Sequence, residues 1–441
     1  MKFSLHVGSE VGLANFSLSQ LIVAVKDLFA TEGLPGFLKV FLQTLERQLT
    51  AGGIKCKHCG SEKLYGHAKC ERKLKTSLGE VVLTLSRFRC QACKKTFVPM
   101  NQFFDLDPYS RKSREFEKLS LETITQQSFR RSADHLEKSL GFSTAFTTLH
   151  GWFRRTDATN INVKKRVENL IADGTGFKRI PGADGSNRGE VRVVIGLSSE
   201  GEVIPFGAWT RANWRDIGSY IKRSNHPSEK IKFKPIAKTL ITDGEEELVR
   251  RLKKLALSHQ RCLFHMTYEL TPLLRYQDHV ARDEAIKITD SLSEILYLDL
   301  PESDADPLKN LEHRLKIELK AKELKEKVES FIRELKMMGY RKATTFIENS
   351  KNQLFTYIEN WIKHGISNPK VTSLIERMMR EIKRRIRKIG FSWSEQGAEK
   401  MTRLVLLQLS STKQYWENHW KTKMGIDANI KLTFLGVTAE N

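Results

Sequence analysis

Two stretches of this chain end alike, and between them they limit what the chain can fold into. Leu170-Ile-Ala-Asp-Gly-Thr-Gly-Phe177 and Thr239-Leu-Ile-Thr-Asp-Gly244 are apolar runs that each reach an aspartate followed by glycine. A short apolar run that stops at Asp-Gly reads as a buried strand arriving at a turn. On this reading Asp173 and Asp243 sit at strand tips, exposed but rigidly held. A third acid, Glu376, lies far downstream in a basic helix. Two strand-end carboxylates and one helical carboxylate are hard oxygen donors of the kind a divalent-metal site needs.

The residues around the two runs alternate between strand and helix patterns. Glu190–Leu197 carries Val191, Val193, Ile195 and Leu197 at period two, and Val203–Trp209 follows after a turn at Gly201. A helix is expected around Trp214 to Lys222. The acids Glu245 to Glu247 suit the first turn of another, and Gln260–His265 reads as a closing strand. The order β-β-β-α-β-α-β, with acids on the first and fourth strands, matches a ribonuclease-H-like α/β layout.

The segment before this core has a different chemistry. Five of the six cysteines fall between positions 56 and 93, including Cys56-Lys-His-Cys59 and Cys90-Gln-Ala-Cys93. Each CxxC bends into a knuckle that points two thiolates at one tetrahedral ion, and Gly79–Cys90 between them alternates as a strand. This is a zinc-ribbon layout with one structural Zn2+, held by Cys56, Cys59, Cys90 and Cys93. The spacer also holds His67 and Cys70, either of which could replace a ligand. With little core of its own, the ribbon is expected to depend on zinc for folding.

The chain is 441 residues long, 40% hydrophobic, and carries a formal charge of +22 with a pI near 9.6. An excess of that size points to a polyanionic partner, read here as nucleic acid. No apolar run approaches the roughly 20 residues of a membrane span. The Leu21–Val25 run is too short for a signal peptide. A soluble cytoplasmic, nucleoid-associated protein without membrane contact is expected, acting as a homodimer or higher assembly on DNA.

The segments then divide as follows. Residues 1–50 are N-terminal helices, including Ser17 to Ala30 and Leu38 to Leu49. Residues 51–100 are the zinc ribbon. Residues 101–165 are helical, with a helix ending at Gly141 and a second over Ala145–Arg155, capped by Ser143 or Thr144. Helix, Gly turn and helix with a basic end is a helix-turn-helix pattern, and Arg130, Arg131 and Arg154 are its candidate DNA contacts. An ordinary helical hairpin has the same pattern. Residues 166–265 are the first part of the core, and 266–345 a helical insertion dominated by one long charged helix from Leu311 to Met337. Residues 346–441 complete the core and add C-terminal helices, where Trp416 and Trp420 have no assigned role.

In the last part, Ile375, Met379, Ile382, Ile386 and Ile389 form one helical face. Glu376 lies beside it and heads a row of Arg380, Lys383 and Arg387, with Arg377 and Arg384 nearby. These five cations are expected to meet DNA. A surface ion pair to Arg380 is the plainer account of Glu376.

Several pieces resemble the catalytic region of DDE transposases of Mutator-type bacterial insertion sequences. They are Ile171-Ala-Asp-Gly-Thr, Leu240-Ile-Thr-Asp-Gly, Cys262-Leu-Phe-His265 and Ser373-Leu-Ile-Glu-Arg-Met-Met-Arg-Glu-Ile-Lys-Arg-Arg. The resemblance implies that Asp173, Asp243 and Glu376 hold two Mg2+ or Mn2+ ions, and that the chain cuts DNA at element ends and transfers strands. It also implies an accessory structural or DNA-positioning role for Cys262 and His265; a buried Cys and a core His on the closing strand would be the simpler case. Two alternatives remain open. One is a zinc-ribbon and helix-turn-helix regulator without catalysis. The other is a domesticated ribonuclease-H-like nuclease that cuts without strand transfer.

Overall fold

The strand that carries Asp173 is the middle of a five-stranded sheet. In the computed structural model, which describes residues 33–51, 53–103, 110–158, 166–181, 185–225, 234–297, 310–365, 369–389, 392–410 and 414–424, the chain divides into two compact units. One comprises the described residues up to Thr156 with those from Asn418 onward, and the other runs from Asp157 to Glu417. The helix expected over Ser17 to Ala30 and the tail beyond residue 424 lie outside the described residues.

The first unit begins with α1 (Leu34–Ala51). A long hairpin follows, β1 (Leu64–Thr76) against β2 (Gly79–Cys90), with a two-residue β3 (Thr96–Phe97) beside β2. A short α2 (Pro99–Phe103) comes next, then α3 (Arg114–Gln126), α4 (Phe129–Leu140) and α5 (Phe146–Arg155). The alternation read in β2 places Val81, Leu83 and Leu85 on one buried face, where they pack against Leu42 of α1 and Met100 of α2. The expectation that the ribbon has little core is therefore corrected. A hairpin of twelve paired residues is long enough to lay an apolar stripe against a helix, and at the knuckle end Phe97, Ile54, Leu64 and Phe88 pack with the cysteines.

The three helices after the ribbon pack around Phe116, Leu136, Leu149, Trp152 and Phe153, with Phe116 edge-on to Trp152 at 5.6 Å. Helix α4 begins at Phe129. Ser128 caps it by accepting from the Arg131 amide, and Gly141 ends it in the left-handed conformation at φ 71°. The expected cap on α5 is not made. Ala145 occupies the capping position, and the Thr144 hydroxyl instead meets Lys75 Nζ at 3.2 Å.

The second unit is built on β4 (Val167–Lys178), β5 (Arg188–Leu197), β6 (Val203–Trp209), β7 (Ala237–Thr242) and β8 (Ala256–Arg261). Their order across the sheet is β6-β5-β4-β7-β8. The first three are antiparallel neighbours, and β7 and β8 run parallel to β4. Parallel strands need crossovers. These are α6 (Trp214–Asn225) between β6 and β7, and α7 (Glu246–Leu252) between β7 and β8. Edge strand β6 is buried throughout because α14 (Glu395–Leu409) covers it. Arg403 Nε donates to the Ala208 carbonyl at 3.0 Å, and the Thr210 amide to Glu399 at 2.8 Å.

At the other edge stands a helical body: α8 (Leu263–Tyr276), α9 (Arg282–Leu296), α10 (Leu311–Met337), α11 (Arg341–Ser350) and α12 (Thr356–His364). The charged helix α10 runs over the residues read from sequence. It is no solvated appendage, since Ile317, Leu324, Val328, Phe331 and Leu335 are buried in a shared core with Leu270, Leu292 and Ile347. Each such side chain contributes roughly 1.5–3 kcal/mol on full burial. Polar bonds fix this body to the sheet. Gln260 accepts from the Tyr357 amide at 2.8 Å, and Asn360 donates to Thr239 Oγ1 at 2.8 Å. Helices α13 (Ser373–Lys383) and α15 (Gln414–Met424) follow, and Trp416 and Trp420 on α15 are both fully buried.

Candidate active site

Asp173 is not at a strand tip. Strand β4 continues five residues beyond it, to Lys178, and Asp173 pairs across to Val193 of β5. Gly174-Thr-Gly176 looked like a turn but is regular strand. A Cβ on Gly174 would lie 2.7 Å from the Glu190 carboxylate, the far end of a flexible side chain that can move aside. What ends near Asp173 is the parallel pairing: the last β4–β7 partners are Ile171 and Ile241. Asp243 follows β7 immediately, as expected, and turns the chain by accepting from the Glu245 amide at 3.0 Å. Gly244 has φ 98°, and a Cβ there would fall on the Arg261 guanidinium, so only glycine fits.

Cys262 and His265 are also placed differently from the strand reading. Strand β8 stops at Arg261; Cys262 occupies the position before α8 without a side-chain cap, and His265 lies in the helix's first turn. The helical turn aims both side chains toward the start of α13. There the Thr372 hydroxyl meets Cys262 Sγ at 3.1 Å, His265 Nδ1 at 3.4 Å and Glu376 Oε1 at 2.6 Å. His265 Nδ1 is 3.7 Å from the same Glu376 oxygen. The donor atoms of Cys262, His265 and Glu376 all lie within 4.8 Å of one another. One hydroxyl that reaches all three makes this a hydrogen-bonded network fixing Glu376. The plainer accounts, a Glu376 pair with Arg380 and a core histidine, miss it.

Asp173, Gly174, His265, Glu376, Arg380, Lys383 and Lys388 line one open cleft of about 500 Å³. Burial pushes the Asp173 carboxyl up to about 6, and the charge of Asp243 adds to the rise. The Gly174 amide, donating at 2.7 Å, and Lys383 work against it. His265 is raised to about 9 by its bond to Cys262, with burial opposing and the Cys262, Glu376 and Asp243 charges assisting. Burial pushes the Cys262 thiol up, but the bonds from His265 and Thr372 outweigh it and hold the thiol below its usual range. The cleft lining thus combines two acids, an imidazolium and three cations, with Glu376, Arg380 and Lys383 in one row of α13.

The basic row on α13 is altered by one π turn over Arg384–Lys388. Arg380 and Lys383 line the cleft as their spacing from Glu376 requires. Beyond them the wider turn brings Lys388 to the cleft, where regular helical spacing pointed to Arg387. Arg377 and Arg387 are exposed, and Arg384 is tied to Glu381 at 2.7 Å. Arg385 is buried beneath the row, its guanidinium 4.9 Å from the Trp393 ring centroid. Ile375, Met379, Ile382 and Ile386 are buried as expected, while Ile389 is half-exposed.

These features lie on and around β7, α8 and α13, the part of the chain that a known family shares. Residues 237–418 match the model of the transposase family described as Mutator. The match supports a transposase function, which implies an enzyme that binds, cuts and recombines DNA. A comparison with curated proteins finds no match. The Mutator-type segment includes Asp243, Cys262, His265 and Glu376 and leaves Asp173 outside. Two residues had no role in the sequence reading: Lys388, which lines the cleft, and Thr372, which is buried and bonded to Glu376. Thr372 stands four residues before Glu376, a spacing that signals contact on a helix. The π turn that selects Lys388 left no such sign.

The ribbon cysteines form a separate centre in the first unit. Cys56 and Cys93 Sγ are 3.6 Å apart, as are Cys59 and Cys90. A tetrahedral Zn2+ with bonds of about 2.3 Å separates its sulfurs by about 3.8 Å. The four can therefore hold an ion such as zinc. Cys70 donates to the Leu85 carbonyl, and His67 is exposed. On the helices that follow, Arg130, Arg131 and Arg154 are all exposed, with Arg130 over the Phe146 ring. Among the described residues, no helix is long and apolar enough to cross a membrane.

Proposed function

We propose that the chain is a DDE transposase that cuts DNA at the ends of an insertion sequence and transfers the resulting strand. The observation that carries this reading is the cleft: Asp173 and Glu376 line it together with Arg380, Lys383 and Lys388, and Asp243, which is not among its lining residues, acts on Asp173 through its charge. The sheet order and its crossovers support a ribonuclease-H-like core interrupted by the helical body. The donor set suits hard divalent cations. Asp173 is raised by burial and by another carboxylate, and a cation between the two would relieve that repulsion.

Two bound Mg2+ or Mn2+ ions would supply an activated oxygen nucleophile and a stabilised leaving oxygen. Asp173, Asp243 and Glu376 are the residues that would hold them. Arg380, Lys383 and Lys388 neutralise the non-bridging oxygens of a phosphodiester in the cleft. Thr372 keeps the Glu376 carboxylate in one orientation by donating to it. Helices α4 and α5, with Arg130, Arg131 and Arg154, serve as a helix-turn-helix for element ends. The cysteine centre takes one structural Zn2+, and the chain works in the cytoplasm as a homodimer or larger assembly on double-stranded DNA. A regulator without catalysis leaves the acid-and-cation cleft unexplained, whereas a nuclease without strand transfer would use the same cleft.

The test is strand cleavage of a supercoiled plasmid carrying the DNA that flanks the gene. Mg2+- or Mn2+-dependent nicking is expected, lost in Asp173→Asn, Asp243→Asn and Glu376→Gln. Joined products distinguish a transposase from a nuclease. Full activity in any of the three variants would remove that residue from the site.

A further inference from the structure

One surface beside the cleft has no part in the reading above. On α8, Phe264 and Tyr268 are 44% and 65% exposed, although the helix has a fully buried face through Leu263, Met266, Leu270 and Leu274. Their rings are one helical turn apart, near parallel at 16°, with centroids 5.7 Å apart. Scattered exposed apolar residues are ordinary. Two aligned rings next to a reactive cleft are a built surface. His265 connects the two: it lines the cleft, and its ring stands edge-on to Phe264 at 5.6 Å and to Tyr268 at 6.5 Å. The aromatic face is thus continuous with the cleft wall.

We propose that Phe264 and Tyr268 are a stacking platform for an unpaired nucleobase of the strand whose phosphate lies in the cleft. This rests on the reading of the cleft as a phosphodiester site. Charge selects the occupant. The wall carries Arg380, Lys383 and Lys388, which draw a polyanionic backbone, so the flat rings beside it meet that strand's bases. A paired base is closed within the duplex and presents no face to a ring. The base must therefore be frayed or single-stranded, as at a DNA end being cut. Stacking on a ring is sequence-tolerant, because every base has a π face. The platform would thus hold an opened strand whatever its sequence and keep its phosphate in register with the acids.

The experiment measures binding by fluorescence anisotropy, with Ca2+ present to prevent cleavage. The probe is a short labelled duplex with an overhang of a few thymines, compared with the same duplex bearing abasic sites in the overhang. The protein should bind the thymine overhang about tenfold more tightly than the abasic one. The Phe264→Ala/Tyr268→Ala double variant should bind both alike, and Tyr268→Phe should keep the preference. A double variant that keeps the full preference, or a wild type with none, overturns the platform. If the double variant instead sediments as a smaller species with the preference intact, the face joins copies of the chain and the platform is refuted. Failure of the wild type to bind any duplex would refute the functional reading itself, and the platform with it.

Discussion

Thr372 shows how a residue that meets no substrate can decide what a carboxylate does. Its hydroxyl gives Glu376 a 2.6 Å bond and links it to Cys262 and His265, so Glu376 has one orientation where a surface glutamate has several. Thr372→Val keeps the shape and removes the bond. Loss of such a supporting contact typically costs 10–100-fold in metal affinity or activity. We expect a drop in that range in the nicking assay, with Thr372→Ser restoring most of it. Unchanged nicking by Thr372→Val would remove Thr372 from the site.

His259 makes a prediction of another kind. It lies 9% exposed on β8, with Nε2 3.0 Å from Thr242 Oγ1, and burial, with help from Arg261 and Lys253, holds its pKa down at about 4. The unfolded histidine takes a proton near 6.5, which the folded one refuses until about 4. Stability from this group is therefore complete above pH 6.5 and is lost as pH falls from 6.5 toward 4, by roughly 3 kcal/mol at most. Urea midpoints across that window should fall more steeply for the wild type than for His259→Gln. Parallel curves would contradict it.

Among elements, the hairpin and the cysteine knuckles part company. Because Leu42, Val81, Leu83, Leu85 and Met100 hold the hairpin to α1, removal of zinc should loosen the knuckles and spare the strands. Metal analysis should find one zinc per chain, absent in Cys90→Ser. Chelation should expose four thiols to a thiol reagent with little change in far-ultraviolet circular dichroism. Loss of the strand signal on chelation would mean that the apolar stripe is not enough.

Strand alternation and helical spacing made most of these elements legible, because burial on one face leaves a periodic trace. Strand β2 and helix α10 follow their patterns closely. The departures have local causes. Gly174 and Gly176 imitate a turn, yet both pair with β5 as regular strand. The π turn after Lys383 replaces Arg387 by Lys388, and periodicity assumes it is absent. Cys262 and Glu376 are joined through Thr372 across more than a hundred residues, a contact that one sequence cannot disclose.

For the whole molecule, a charge of +22 would bring a polyanion to many places, and the cleft lined by Asp173, Glu376, Arg380, Lys383 and Lys388 brings acids and cations together at one of them. The central claim is that Asp173, Asp243 and Glu376, drawn from a central strand, a neighbouring strand end and a distant helix, hold divalent metal together. The most direct measurement is Mn2+ uptake followed by electron paramagnetic resonance, with the protein bound to a short duplex. Wild type should take up Mn2+ beyond what the duplex alone binds, and Asp173→Asn, Asp243→Asn and Glu376→Gln should each lose that extra uptake. Equal uptake by wild type and all three variants would contradict the account.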